Sequence, residues 1–142
     1  ITPGHCSGHI CLFSKHGLVA GDMVAGIGTI LIPRDGNMGD YLEQLKRLSE
    51  LDPYLLFPSH GPVLPNGKKQ LINLINHRSN REKTVIEAIT KGIVNLSEIA
   101  EYAYSDTPNA HPILKKDQVL SHLEHLEKTG KVISSSHEWR LS

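Results

Sequence analysis

Apolar positions along the chain fall into two textures. From Ile1 to about Leu64 they come in short runs: His9-Ile10-Cys11-Leu12-Phe13, then Gly17-Leu18-Val19-Ala20-Gly21 after a Ser14-Lys15-His16 connector, then Gly28-Thr29-Ile30-Leu31-Ile32 ahead of Pro33. Brief apolar runs of this kind predict strands, the first two antiparallel across their polar connector. Asn37 precedes Asp40 by three residues, a cap and a first-turn acid ahead of Tyr41, Leu42, Leu45, Leu48 and Leu51 at helical spacing. Lys46, Arg47 and Glu50 lie on the other side, and Pro53 stops the helix. Leu55-Leu56-Phe57 predicts a further buried strand, leading into Pro58-Ser59-His60-Gly61-Pro62.

Beyond Lys68 helical spacing takes over. Leu71, Ile72, Leu74 and Ile75, then Val85, Ile86 and Ile89, predict one helix, or two with a break near Ser79-Asn80, closed by Gly92. Asn95 offers a cap to a helix carrying Ile99, Ala100 and Ala103, and Ser105–Lys116, with two prolines, reads as a polar connector. Asp117–Lys128 places Val119, Leu120, Leu123 and Leu126 on one stripe, with Gly130 just past its end. His122 flanks that stripe and His125 faces away from it, which predicts a solvated face for both. Lys131-Val132-Ile133 and Glu138-Trp139-Arg140-Leu141 predict a hairpin around Ser134–His137. Three helices followed by a hairpin is the winged-helix order. The expected division is therefore an α/β domain over 1–80 and a small α+β domain over 81–142.

Composition narrows the field. The chain has 142 residues, 39% of them hydrophobic and 21% charged, as expected of a globular protein. No apolar run approaches the ~18 residues of a membrane span, and no basic segment leads into an apolar one as in a signal peptide. Fifteen Lys/Arg balance fifteen Asp/Glu. From Arg81 onward eight basic residues meet nine acidic ones, which argues against a duplex-DNA reader, whose affinity comes from phosphate contacts. Two cysteines, Cys6 and Cys11, make no disulfide framework and point to a reducing compartment. The chain opens at Ile1 and runs straight into Thr2-Pro3-Gly4-His5, the expectation being a polypeptide that starts inside a domain.

Nine histidines remain to be accounted for. Three segments each place a metal-ligand residue type at the tip of an expected strand: Thr2-Pro3-Gly4-His5, Ala20-Gly21-Asp22 and Phe57-Pro58-Ser59-His60-Gly61. Two neutral imidazoles and one carboxylate suit zinc, and manganese or iron as well. A carboxylate also has two oxygens with which to bridge ions held ~3.5–4 Å apart. Singly, each signal has a plainer reading: a solvated loop histidine, or a Gly-Asp turn.

Taken in order, Thr2-Pro3-Gly4-His5 with Gly8-His9, a strand with Gly21-Asp22, a helix, then Pro58-Ser59-His60-Gly61 resembles the C-terminal half of the metallo-β-lactamase superfamily, over Ile1 to about Arg81. The tail, entered through His77-Arg78-Ser79-Asn80-Arg81-Glu82, is similar to β-lactamase-like proteins that carry a C-terminal winged helix. The resemblance implies an incomplete αββα half followed by a winged-helix domain. It implies that His5 is the third histidine of a first metal site, Asp22 the carboxylate bridging two zinc ions, His60 the histidine of the second site, and His9 a neighbour that orients the loop. The implied reaction is attack of a hydroxide held between the metals on an ester, thioester or phosphodiester. Cleavage of single-stranded RNA is the alternative within the same fold, and a non-catalytic winged-helix interaction module the alternative of another class. The implied setting is the cytoplasm or the mitochondrial matrix.

Two departures from the family pattern matter. Cys6-Ser7 stands where Thr-Pro is commoner. No two histidines here are separated by a single residue, so the H-x-H-x-D-H signature, which supplies the remaining ligands, is missing. Each ion would keep two ligands from this chain, fewer than the three of a catalytic zinc site. No catalytic set is complete, and the expectation is a chain that alone is inactive and holds metal weakly or not at all. The uncovered side of the sandwich is expected to drive self-association.

Overall fold

The computed structural model describes all residues from Ile1 to Ser142. Strands β1 (Leu12–Ser14) and β2 (Gly17–Gly21) pair antiparallel as their two runs predict. β3 (Leu55–Pro58) lies parallel to β2, and β4 (Leu64–Pro65), not foreseen from the sequence, pairs antiparallel with β3, giving the order β1-β2-β3-β4. Period-two alternation divides the faces. Leu18, Ala20 and Leu56 are fully buried on one side. Leu12, Val19 and Phe57 are in register on the other, with Leu12 63% and Val19 50% exposed.

Parallel strands need a crossover, and α1 (Met38–Glu50) lies in it. Asn37 caps this helix, its side-chain oxygen accepting the Asp40 N–H at 2.9 Å. Met38, Tyr41, Leu45 and Leu48 form the buried stripe; each such side chain contributes about 1.5–3 kcal/mol on leaving water. The expected strand over 28–32 does not form. Gly28 adopts φ +78°, and the carbonyls of Ile30 and Leu31 go to the side chains of Arg78 and His5 rather than to a neighbouring strand.

The open question of one helix or two resolves as one: α2 runs unbroken over Gly67–Thr90. Neither Gly nor Pro interrupts residues 68–91, so nothing local favours a break. Contacts divide the chain within that helix into Ile1–Arg78 and Ser79–Ser142, two residues ahead of the 80/81 boundary drawn from sequence.

The second unit holds the end of α2, then α3 (Leu96–Ala103), α4 (Pro112–Lys128), and the hairpin β5 (Val132–Ser135) with β6 (Glu138–Leu141). Its core is Val85, Ala88, Ile99, Ala100, Val119, Leu123, Leu126, Val132 and Trp139. Asn95 caps α3 as expected. Three expectations are corrected here. The connector is shorter than read, because α4 begins at Pro112, whose fixed φ suits the first helical position, with His111 as its cap. The hairpin loop is only Ser136-His137, both left-handed at φ 50° and 65°, the geometry of a two-residue turn. His122 is not solvated: it is 0% exposed, and His125 is half-buried. With Lys115 and Gln118 it forms a buried polar row beside the apolar stripe. That row meets carboxylates, Glu101 at 3.1 Å from Lys115 Nζ and Glu82 at 3.8 Å from His122 Nδ1.

Candidate metal centre

Topology brings the three strand-tip residues to one edge. Because β2 and β3 are parallel, their C-terminal ends lie side by side, with Gly21 opposite Pro58 and the Ser59 N–H donating to the Gly21 carbonyl at 3.1 Å. Asp22 and His60 follow directly. β1 runs antiparallel to β2, so the segment ahead of it, with His5 and His9, returns to the same edge. The C-terminal edge of parallel strands is where α/β sheets hold ligands.

His5 Nε2 lies 3.7 Å from Asp22 Oδ2, and His60 Nε2 lies 3.4 Å from Asp22 Oδ1. Oδ1 is buried and accepts no hydrogen bond, an arrangement native interiors rarely tolerate without a further partner. His5 Nδ1 is 3.0 Å from the Leu31 carbonyl oxygen. A carbonyl can only accept, so Nδ1 carries the proton and, in the neutral ring, Nε2 presents its lone pair to the carboxylate.

His9 stands behind the pair. Its Nε2 accepts the Asp22 backbone N–H at 3.1 Å, which leaves Nδ1 to donate to Thr2 Oγ1 at 2.9 Å. Thr2 Oγ1 passes its own proton toward Cys11 Sγ at 3.3 Å. Burial first, and the neighbouring His5 second, hold the His9 imidazole below its ordinary pKa against the opposing pull of Asp22. A neutral His9 is the form able to accept that N–H. The ring approaches closely because residue 21 is glycine: at φ +55°, an added Cβ would stand 2.7 Å from His9 Nε2. The Gly26 N–H donates to the His60 carbonyl at 2.8 Å and fixes the backbone on the far side.

Sequence reasoning missed Tyr41 and Arg78. Tyr41 Oη donates to the Met23 carbonyl at 2.8 Å, and buried Arg78 donates to the Ile30 carbonyl. The available signal was spacing, since position 78 falls one heptad after Leu71 on the apolar stripe of α2. Elsewhere His16, His77, His111 and His137 are exposed, and Cys6 and Cys11 are free thiols, with burial raising the pKa of Cys11.

In kind, the donors suit a borderline divalent cation such as zinc: two imidazole nitrogens and a carboxylate with an unsatisfied buried oxygen. In number they fall short, for no three His, Cys, Asp or Glu side chains close on one point as a complete set. Each carboxylate oxygen shares its side with one imidazole only.

The sequence profile of the Metallo-beta-lactamase superfamily matches residues 1–60. A Beta-lactamase-like protein 2 homolog of Drosophila melanogaster is 31% identical over 136 residues, covering 92% of this chain and 45% of that protein. The Caenorhabditis elegans protein of the same name is 27% identical over 139 residues, covering 96% and 46%. Among solved structures, a metallo-beta-lactamase family protein from Thermus thermophilus superposes with a TM-score of 0.81 at 18% identity, covering 99% of this chain and 48% of that one. A beta-lactamase domain protein from Burkholderia ambifaria gives 0.80 at 22% identity, covering 99% and 45%. The chain thus spans less than half the length of these relatives. No helix is long and apolar enough to cross a membrane.

Proposed function

We propose that this chain, which belongs to the metallo-β-lactamase superfamily through its residues 1–60, contributes one share of a two-metal hydrolytic centre. Asp22 would be shared by two cations, with His5 holding the first and His60 the second. One observation carries the reading: the two oxygens of Asp22 face two different imidazoles, at 3.7 and 3.4 Å. Across the first gap the bare Nε2 of His5 faces a carboxylate oxygen, two acceptors opposed, an arrangement that favours a cation between them. Two cations held there supply positive charge beside the reacting carbon or phosphorus of an ester, thioester or phosphodiester, where hydrolysis develops negative charge.

The residues of this chain orient that site. The Leu31 carbonyl holds His5 in the productive tautomer, His9 anchors the backbone of Asp22, and Gly26 ties down His60. Two donors per cation are fewer than a catalytic zinc site uses, so the remaining ligands come from outside this chain, and the 142 residues alone hold zinc weakly and do not turn over. The apolar row of exposed Leu12 and Val19 and half-buried Phe57 makes the isolated chain self-associate, which sedimentation at increasing concentration reads. Ser79–Ser142, with its three helical segments and hairpin, serves as a winged-helix module rather than as a duplex reader, its charges being balanced.

The test is a hydrolysis panel of single-stranded RNA, thioesters and β-lactams on the protein assembled to the full length of its relatives, wild type against His60→Ala. Loss of turnover in the variant is expected, and the class of substrate cleaved assigns the activity. Equal turnover by His60→Ala refutes the role given to that residue.

A further inference from the structure

The segment from Asp22 to Ile32 carries Asp22 at one end and, at the other, the Leu31 carbonyl that meets His5. No strand ladder supports it over 28–32. Two buried polar side chains hold it instead. Tyr41, on α1 and fully buried, donates to the Met23 carbonyl at 2.8 Å. Arg78, on α2 and 2% exposed, donates through Nη2 to the Ile30 carbonyl, and its guanidinium lies 5.4 Å from the Tyr41 ring centroid. The grip falls on the residue after Asp22 and on the residue before Leu31.

We propose that Arg78, with Tyr41 beside it, is a positioning residue for the site: it fixes the Ile30–Leu31 peptide so that the Leu31 carbonyl meets His5 Nδ1, which holds His5 as the Nδ1–H tautomer and aims its bare Nε2 at Asp22. The peptide unit is planar, so a hydrogen bond to the Ile30 carbonyl sets the plane from which Leu31 departs. Burying a guanidinium is costly unless its donors are satisfied, and an apolar side chain would fill the space against Tyr41 without that cost. What arginine adds is a rigid, directional N–H aimed at one carbonyl. The network continues on the other side, where the Asn37 N–H donates to the Gly4 carbonyl at 2.7 Å and fixes the backbone that carries His5. His5 is thereby gripped at both main chain and ring.

The functional value of this device rests on the proposed role of His5 as a cation ligand; the tautomer itself does not, and the experiment separates the two. Long-range proton–nitrogen correlation spectra of the cation-free chain, at alkaline pH where the rings are neutral, distinguish the tautomers of His5 and His9. Wild type is expected to show both as Nδ1–H. Arg78→Met is expected to shift His5 to the Nε2–H-rich mixture of a free imidazole and to leave His9, held by Thr2 and Asp22, unchanged. A merely structural role for Arg78 would not single out His5. An unchanged His5 in Arg78→Met overturns the proposal, as does an unchanged His5 in Arg78→Gln, whose shorter amide stops short of the Ile30 carbonyl, should the methionine variant fail to fold. A zinc titration of the same proteins is expected to show affinity about tenfold lower in Arg78→Met. Zinc that leaves the His5 resonances of the wild type unmoved, while the tautomer still shifts in Arg78→Met, sinks the metal reading and leaves the clamp standing.

Discussion

Each half of this molecule sets a carboxylate between two histidines, and the two arrangements behave differently. In Ile1–Arg78, Asp22 offers one oxygen to His5 and the other to His60, at the tips of parallel strands. In Ser79–Ser142, a single oxygen of Glu82 faces both His122 at 3.8 Å and His125 at 3.9 Å, while its other oxygen faces the Lys131 ammonium at 3.5 Å. The second cluster carries its own cation and neutralises its carboxylate internally. The first leaves Asp22 Oδ1 buried without a hydrogen-bond donor. Residue type therefore does not separate the cluster proposed to hold cations from the one that neutralises itself. What separates them is whether the carboxylate oxygens are divided between imidazoles or already compensated by an ammonium.

Breaking the first cluster has the largest expected effect. On the proposed hydrolytic role, Asp22→Ala in the protein at full length is expected to lower turnover by about a thousandfold, the scale of losing a group that organises transition-state charge. Steady-state hydrolysis and zinc stoichiometry check it, and chemical denaturation should hardly move. Breaking the second cluster reverses that pattern. Glu82→Gln is expected to cost about 2 kcal/mol of stability, read by denaturant titration, because it removes the largely buried carboxylate that faces buried His122 and half-buried His125.

The acid response sharpens the contrast. Burial raises the Glu82 pKa, but His122 beside it and the charges of His125 and Lys131 outweigh it and hold the group below its ordinary 4.5. A carboxylate depressed on folding contributes stability that is present above its ordinary pKa and is lost as pH falls through the depressed value. Wild type is accordingly expected to lose stability in acid below about pH 4.5, and Glu82→Gln to lose less over that range. A melting-temperature series against pH reads the difference.

Gly21→Ala tests how tightly the first cluster is built. The added methyl meets His9 Nε2 at a left-handed backbone position, and about 1–2 kcal/mol of destabilisation is expected, with loss of protection at the Asp22 amide in hydrogen exchange. The smallest effect belongs to Lys131→Met. Its side chain is 55% exposed, so solvent screens the pair, and under about 1 kcal/mol is expected, confined to the second unit.

Much of this could be read in advance from local pattern. Short apolar runs located β1, β2 and β3; helical spacing and the caps Asn37 and Asn95 located α1 and α3; and the strand-tip motifs named His5, Asp22 and His60. The misreadings share one cause. Gly28–Ile32 looked like a strand because its composition suits one, yet its carbonyls are claimed by side chains distant in sequence, Arg78 and His5. His122 looked solvated because a histidine beside an apolar stripe usually is, yet a carboxylate from α2 stands opposite it.

Local chemistry, then, dictated which segments become helix or strand and which residue types stand at their ends, because spacing, capping and turn preferences act over a few neighbouring residues. Only the folded chain decided which of those ends meet. Parallel pairing of β2 with β3 put Asp22 beside His60, antiparallel return of β1 brought His5 to the same edge, and the apolar phase of α2 carried Arg78 into one unit and Glu82 into the other. Hydrogen bonds and charge pairs act at a few ångströms in space, and no sequence separation encodes that distance until the backbone has closed.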